Sequence, residues 1–301
     1  MTYLNSFHLP SESAEINFIM QEKRTIYHTF YPFKLFSQKS LGKLELDGIT
    51  ILYGGNGSGK STLINVMAQK MNAERYSDFN DSPFFDDFVQ MCHAKISRRP
   101  MRCSVLTSDD VFDYALNARS INGNIDDRRR DLLDNYVAVH QELRRNSDIV
   151  RMKGMDDYER WNDTMEILSR RRTLSSYIRN RTVRDIDLRS NGETAMHYFL
   201  ERIEDEGLYF LDEPENSLSV EFQIQLADYI AATARATHTQ FVIATHSPIF
   251  LALKGARIYN LDDDPVSVCK WTELPNVRKF YEFFKSHENE FGADLKGGPY
   301  G

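Results

Sequence analysis

Cysteine is scarce. Cys92, Cys103 and Cys269 are odd in number and scattered, so no pair has the spacing of a zinc site and no disulfide framework is available. They read as reduced cytosolic thiols. Long apolar runs are missing too. No stretch approaches the roughly 20 residues needed to span a bilayer, and the opening M-T-Y-L-N-S-F-H-L-P lacks the basic start and apolar centre of a secretory leader. The expectation is a soluble, cytoplasmic protein with no membrane contact of its own. Basic residues are outnumbered, 37 Lys and Arg against 44 Asp and Glu, for a net charge of −7. That balance argues against a general polyanion binder, although charge can still be segregated along the chain. With 301 residues there is room for one large α/β domain carrying an insertion, or for two small domains.

What is present is concentrated between Gly48 and Leu63, G-I-T-I-L-Y-G-G-N-G-S-G-K-S-T-L. Ile49, Ile51 and Leu52 read as a short buried strand, and Thr62 to Gln69 as a helix. Between them Gly54, Gly59, Lys60 and Ser61 fit G-x-x-x-x-G-K-[ST] position by position. Glycines suit this chemistry because backbone without Cβ can wrap its N–H groups around an oxyanion, and the following helix N-terminus adds partial positive charge. Lys60 would reach the β- and γ-phosphates, and the Ser61 hydroxyl would complete the shell of a Mg²⁺ ion. The alternative is a glycine-rich turn ahead of an ordinary helix.

Upstream, residues 1 to 47 alternate polar and apolar around Ile16-Asn17-Phe18-Ile19, Thr25-Ile26-Tyr27, Tyr31-Pro32-Phe33 and Leu44-Glu45-Leu46. This predicts an antiparallel N-terminal sheet leading into the loop strand. Tyr31 is a candidate to stack on adenine, with core or edge packing in the sheet the favoured role, because aromatics supply most of the buried area in such sheets. Downstream, Asn72 to Pro83 is polar and turn-like, Arg102 to Thr107 reads as a strand, and Ser108-Asp109-Asp110 should cap a helix from Val111 to Arg119.

Residues 125 to 189 differ from their flanks. Leu132, Tyr136, Val139 and Leu143 recur at helical spacing, as do Met152, Met155, Trp161, Met165 and Leu168. The pattern predicts a pair of amphipathic helices inserted into the core domain. Arginines stud the segment (Arg128-Arg129-Arg130, Arg144-Arg145, Arg170-Arg171-Arg172), interleaved with acidic residues such as Asp126, Asp131, Glu142 and Asp157. A salt-bridged solvated face and a surface for nucleic acid or a protein partner both fit.

Next comes Ser190-Asn191-Gly192-Glu193, a hydroxyl and bare N–H groups at the start of a helix through Ala195, Phe199 and Ile203, and so a second candidate anion site. About twenty residues later the buried-strand run Leu208-Tyr209-Phe210-Leu211 ends in Asp212-Glu213-Pro214-Glu215. A carboxylate at such a strand end can hold Mg²⁺, and the next can activate water for attack on a phosphate. Asn216-Ser217-Leu218-Ser219 caps a helix from Val220 to Ala236. Gln240 to Ala244 is a further strand that delivers Thr245-His246-Ser247-Pro248 to the same carboxyl edge as Asp212.

This order of G-G-N-G-S-G-K-S, S-N-G-E, F-L-D-E-P-E and T-H-S-P resembles the ABC-class ATPases, and within them the soluble stand-alone branch related to the Rad50 and SMC heads more than transporter cassettes. The likeness covers most of residues 25 to 285 outside the Arg-rich insertion. It implies an α/β fold: a P-loop NTPase head with an antiparallel N-terminal sheet, a mostly parallel core sheet flanked by helices, and a small inserted helical lobe. The parts would be residues 1–120, the insertion 121–189, and 190–301.

By the same resemblance Gly54, Gly55, Asn56, Gly57, Ser58, Gly59, Lys60, Ser61 and Thr62 form the Walker A loop, with Lys60 on phosphate and Ser61 on Mg²⁺. Asp212 is the Walker B aspartate and metal ligand, Glu213 the general base, and His246 the switch histidine. Ser190, Gly192 and Glu193 form the signature that contacts the ATP of a second protomer, and 216–219 form the D-loop. Two departures stand out. The familiar L-S-G-G-Q is R-S-N-G-E here, and no glutamine occupies the Q-loop place, where Ser108, Asp109 and Asp110 stand. The implied function is ATP binding and hydrolysis driving head-to-tail homodimerisation as a switch. It would act on a separate effector such as a nuclease or toxin, as in phage defence, or on nucleic acid. A slow-turnover nucleic-acid-binding module is the alternative, and the energising subunit of a transporter the least favoured.

Overall fold

The computed structural model describes residues 2–24, 26–27, 29–114, 116 and 191–291. Met1–Phe112 and Asn191–Gly301 form one compact unit; the other, Asp113–Ser190, lies almost wholly outside the described residues. The amphipathic pair and its arginines fall there, as does Ser190.

Strands β1 (Leu4–His8), β2 (Lys43–Glu45), β3 (Ile49–Tyr53), β4 (His93–Ile96), β5 (Arg102–Thr107), β6 (Gly207–Asp212), β7 (Gln240–Ala244), β8 (Arg257–Asn260) and β9 (Ser267–Cys269) build two sheets. The larger has the order β5-β6-β7-β3-β8-β9 and is parallel except at β8–β9; the smaller, β2-β1-β4, is antiparallel. Every residue of β3 and β7 is buried, as expected where both faces of a parallel sheet are covered. Helices α1 (Glu12–Gln21), α2 (Lys60–Lys70), α3 (Phe85–Met91), α4 (Asn191–Arg202), α5 (Val220–Ala236), α6 (Pro248–Leu251) and α7 (Pro275–Ser286) complete the described unit.

The two sheets are joined by Gln240. Its Oε1 accepts from the Tyr3 and Leu4 amides at 2.9 Å each, while its Nε2 donates to the carbonyls of Leu4 (2.8 Å) and Asp47 (3.0 Å). A fully buried amide is tolerated there because its donors and acceptor are all used.

The antiparallel sheet exists, and Leu44 and Glu45 lie in its strand β2 as expected, but the other runs do not supply its strands. Ile16 to Ile19 lie in α1, whose N-cap Ser11 accepts from the Ala14 amide at 3.3 Å. The apolar residues there follow helical spacing: Phe18 stacks on Phe33 at 4.7 Å. Ile26, Tyr27 and Tyr31 to Phe33 lie outside strands, and Thr25 is not described. The cap after β5 also differs. Thr107, not Ser108, closes the helix over 108–114: its Oγ1 accepts from the Asp110 amide (3.1 Å), and Asp110 Oδ2 accepts from the Thr107 amide (2.8 Å). This is the reciprocal pairing of a capping box, with Asp in the third position. α3 and β4 carried no sequence expectation.

Candidate functional site

β3, β6 and β7 are neighbours in register, so Tyr53, Asp212 and Ala244 end on one edge of the sheet and the loops after them converge. The loop after β3 turns back over that edge. Gly59 has φ +100° and a Cβ there would lie 3.1 Å from the Phe36 ring; a Cβ on Gly54 would meet Ser58 Oγ at 2.4 Å. Both positions therefore require glycine. Asn56 and Gly57 are exposed at the crest.

Lys60, at the start of α2, is only 4% exposed. Its Nζ donates to the carbonyls of Gly54 (2.8 Å) and Gly55 (3.2 Å) and lies 3.4 Å from Glu213 Oε1. One residue on, Ser61 Oγ donates to Asp212 Oδ1 at 3.1 Å. Thr62 Oγ1 is 2.8 Å from the Tyr31 hydroxyl, whose ring also packs beside Phe85. Tyr31 is thus tied to the loop helix and the core.

At the end of β6, burial pushes the Asp212 carboxyl up to about 6, with the Glu213 charge adding to the rise. The Ser61 bond, Lys60 and Arg75 pull the other way. Glu213 follows with φ +48° and ψ 53°, the left-handed region in which a residue with a side chain is strained. Its amide is held by the Ala244 carbonyl at 2.9 Å and its Oε2 accepts from Asn216 Nδ2 at 3.0 Å. His246 stands on the loop after β7, its Nδ1 3.4 Å from Glu215 Oε1 and 3.8 Å from Glu213 Oε1.

Ser61, Asp212, Glu213, Tyr31, Arg75 and Asp109 share the wall of one cavity of about 580 Å³. A larger one, about 710 Å³, opens at the opposite strand ends among Lys70, Arg99, Met101 and Glu204, away from this chemistry. Ser108 and Asp109, which stand where the resemblance puts a Q-loop glutamine, line the first cavity. Gly192 and Glu193 fall in the first turn of α4, which packs on α5 and on the turn Pro214–Ser217.

Four residues here had no sequence expectation. Asp262 accepts the Gly55 amide with both carboxylate oxygens (3.0 and 2.9 Å), and Lys39 Nζ donates to the carbonyls of Ser58 (2.9 Å) and Leu261 (2.6 Å). Glu215 sits beneath His246. Arg75 bonds Asn65 Oδ1, lies over the Phe79 ring, and has its pKa lowered by burial. Only Glu215 had a local signal, as the last member of D-E-P-E.

The profile of the ABC transporter family matches residues 39–216, more than half of the chain, and that of the AAA ATPase domain matches 191–251. The chain belongs to the ABC-type ATPase family, as its motifs led one to expect. Among solved structures it is similar to an SMC head domain with an extended coiled coil, bound to the C-terminal domain of ScpA, from Pyrococcus furiosus. That match has 14% identity and TM-score 0.40 and covers 95% of this chain and 100% of that one. It is similar as well to an SMC head bound to the C-winged helix domain of ScpA (14%, TM-score 0.39, 92% and 99%). A third is described as a metal-chelate type ABC transporter in an inward-facing conformation (17%, TM-score 0.37, 77% and 76%). No curated protein matches.

Family membership implies ATP and, as a rule, Mg²⁺. The residues fit both. Ser61 Oγ and Asp212 Oδ1 are an all-oxygen donor pair at a strand end, and Mg²⁺ takes few protein ligands because phosphate and water fill the rest of its shell. Among the described residues no helix is long and apolar enough to cross a membrane.

Proposed function

We propose that this protein is an ATP-hydrolysing switch that works as a head-to-tail homodimer. The observation that carries the reading is the bond between Ser61 and Asp212, which joins the loop helix to the strand-end carboxylate beside Glu213 and Lys60. In this reading the backbone N–H groups of the 54–62 loop wrap the phosphates, and Lys60 exchanges its loop carbonyls and Glu213 for phosphate oxygens. That exchange frees the Glu213 carboxylate to take the proton of the attacking water. Ser61 and Asp212 would hold Mg²⁺, which supplies charge neutralisation at the phosphates. His246, next to Glu213, would contact the γ-phosphate. Ser190, Gly192 and Glu193 of a sister copy would close over the same triphosphate, so an isolated copy would bind ATP and turn it over poorly. The output would pass to a separate effector protein, such as a nuclease or toxin, with the Arg-rich residues 125–189 as the contact; salt-sensitive nucleic-acid binding by that segment would favour the alternative module.

ATP binding and steady-state turnover of Lys60→Ala and Glu213→Gln test the assignment. Lys60→Ala should weaken ATP binding by at least about tenfold, since it removes a charged donor. Glu213→Gln should bind ATP normally and lose turnover by about a hundredfold or more. Wild-type turnover in the Gln variant would remove Glu213 as the base.

A further inference from the structure

The turn after Asp212 and the turn after β7 are bound into one block by a buried carboxylate that the mechanism above does not use. Glu215 is 7% exposed, yet its Oε1 alone accepts from the Thr245 hydroxyl at 2.6 Å, the His246 amide at 2.9 Å and the Ser247 amide at 3.2 Å. The same oxygen is the nearer of the two carboxylate neighbours of the His246 ring, at 3.4 Å against 3.8 Å for Glu213. Gln223 on α5 closes the circuit. Its Oε1 accepts from Ser247 Oγ at 2.8 Å, while its Nε2 donates to the carbonyls of Leu218 (3.1 Å) and Glu215 (3.4 Å).

Burying a carboxylate is costly unless charge-assisted hydrogen bonds replace its water, and here all of them come from three consecutive residues centred on His246. A residue placed only to fill space would be apolar. Glu213 holds Asn216 as well, so the strand-end turn, the 216–219 segment and the histidine loop share one bonded frame.

We propose that Glu215 is a positioning residue that sets the pose of His246 and makes it move as one body with the 216–219 turn. The inference rests on the role given to His246 under Proposed function. In the proposed dimer the 216–219 turn would face the sister copy, so docking of that copy would be felt at His246 through Glu215. Lys60 meets this frame at Glu213, 3.4 Å away, whereas the hydrogen bonds to the Glu215 carboxylate come from residues 245–247 and not from the phosphate loop.

Steady-state kinetics and ATP-binding measurements on Glu215→Ala, Glu215→Gln, His246→Ala and Glu215→Ala/His246→Ala test it. Glu215→Ala should lower kcat by at least about tenfold with the ATP Kd unchanged, tenfold being the worth of one to two lost hydrogen bonds. Glu215→Gln keeps an acceptor oxygen for the three donors and should restore most of kcat. In the His246→Ala background Glu215→Ala should cost nothing further, because its effect runs through the histidine. Independent, multiplying losses, or a loss that falls on ATP Kd instead of kcat, would overturn the inference while leaving His246 in place. A silent His246→Ala would remove the role of His246 itself, and this inference with it. If Glu215→Ala does not fold, Gln223→Ala and Thr245→Val cut the frame at its rim; both should lower kcat at constant Kd, and wild-type kcat in both would contradict the proposal.

Discussion

Asp262 shows how much of the phosphate loop depends on residues far away in sequence. Gly55 needs no positive φ, and a Cβ placed on it would make only ordinary contacts, at 3.8 Å and beyond. What the position supplies is its N–H, and both Asp262 oxygens accept it. Asp262→Ala should therefore expose the Gly55 amide, and amide hydrogen exchange read by mass spectrometry should quicken over peptides covering the loop. Unchanged exchange there would mean the loop holds its shape without the brace. Lys60, Ser61, Asp212, Glu213 and His246 were legible as a set because motif spacing and strand ends fix where such side chains emerge. Asp262, Lys39 and Glu215 act through partners met only once the strands are paired, up to 222 positions apart for Lys39 and Leu261; Arg75 has nearer partners, Asn65 and Phe79, but no motif spacing marks them. Single-sequence periodicity carries nothing about such contacts.

Among the elements, α1 is where the period-2 reading failed and where the reason is visible. Phe18 and Ile19 pack against the core while Met20 stays exposed, and Ser11 with Glu12 and Glu15 supplies a cap and an acidic first turn. Glu15 is fully buried and holds the following segment, accepting from the Lys34 amide at 2.6 Å and the Ser37 hydroxyl at 2.8 Å. That segment carries Phe36 and Lys39 to the phosphate loop. Burial raises the Glu15 pKa, and the Ser37 and Lys34 bonds only partly offset it; Glu12 raises it further and the Lys34 charge lowers it. With the folded pKa above the unfolded one, the stability from this group is complete below the unfolded value and is lost as pH rises through the folded value. Glu15→Gln keeps the acceptor and cannot ionise. Its melting temperature should equal that of the wild type near pH 4 and exceed it at pH 7. A wild-type advantage at pH 7 would show that the charge itself is stabilising. The strands, by contrast, were legible wherever they are short apolar runs ending in the motifs: β3, β5, β6 and β7.

Across the described unit, two sheets and their helices bring the lysine-bearing loop, the strand-end carboxylates and the histidine loop to one edge. In the reading proposed above, residues 190–193 at the head of α4 would meet a nucleotide held by another copy. The most direct measurement is the mass of Glu213→Gln by size exclusion with light scattering, with and without ATP and Mg²⁺. The account predicts a shift to twice the protomer mass with ATP and Mg²⁺, lost with ADP and lost again when Ser190 is replaced by Arg. A mass that stays at one protomer with ATP bound, or a dimer indifferent both to nucleotide and to Ser190→Arg, would contradict it.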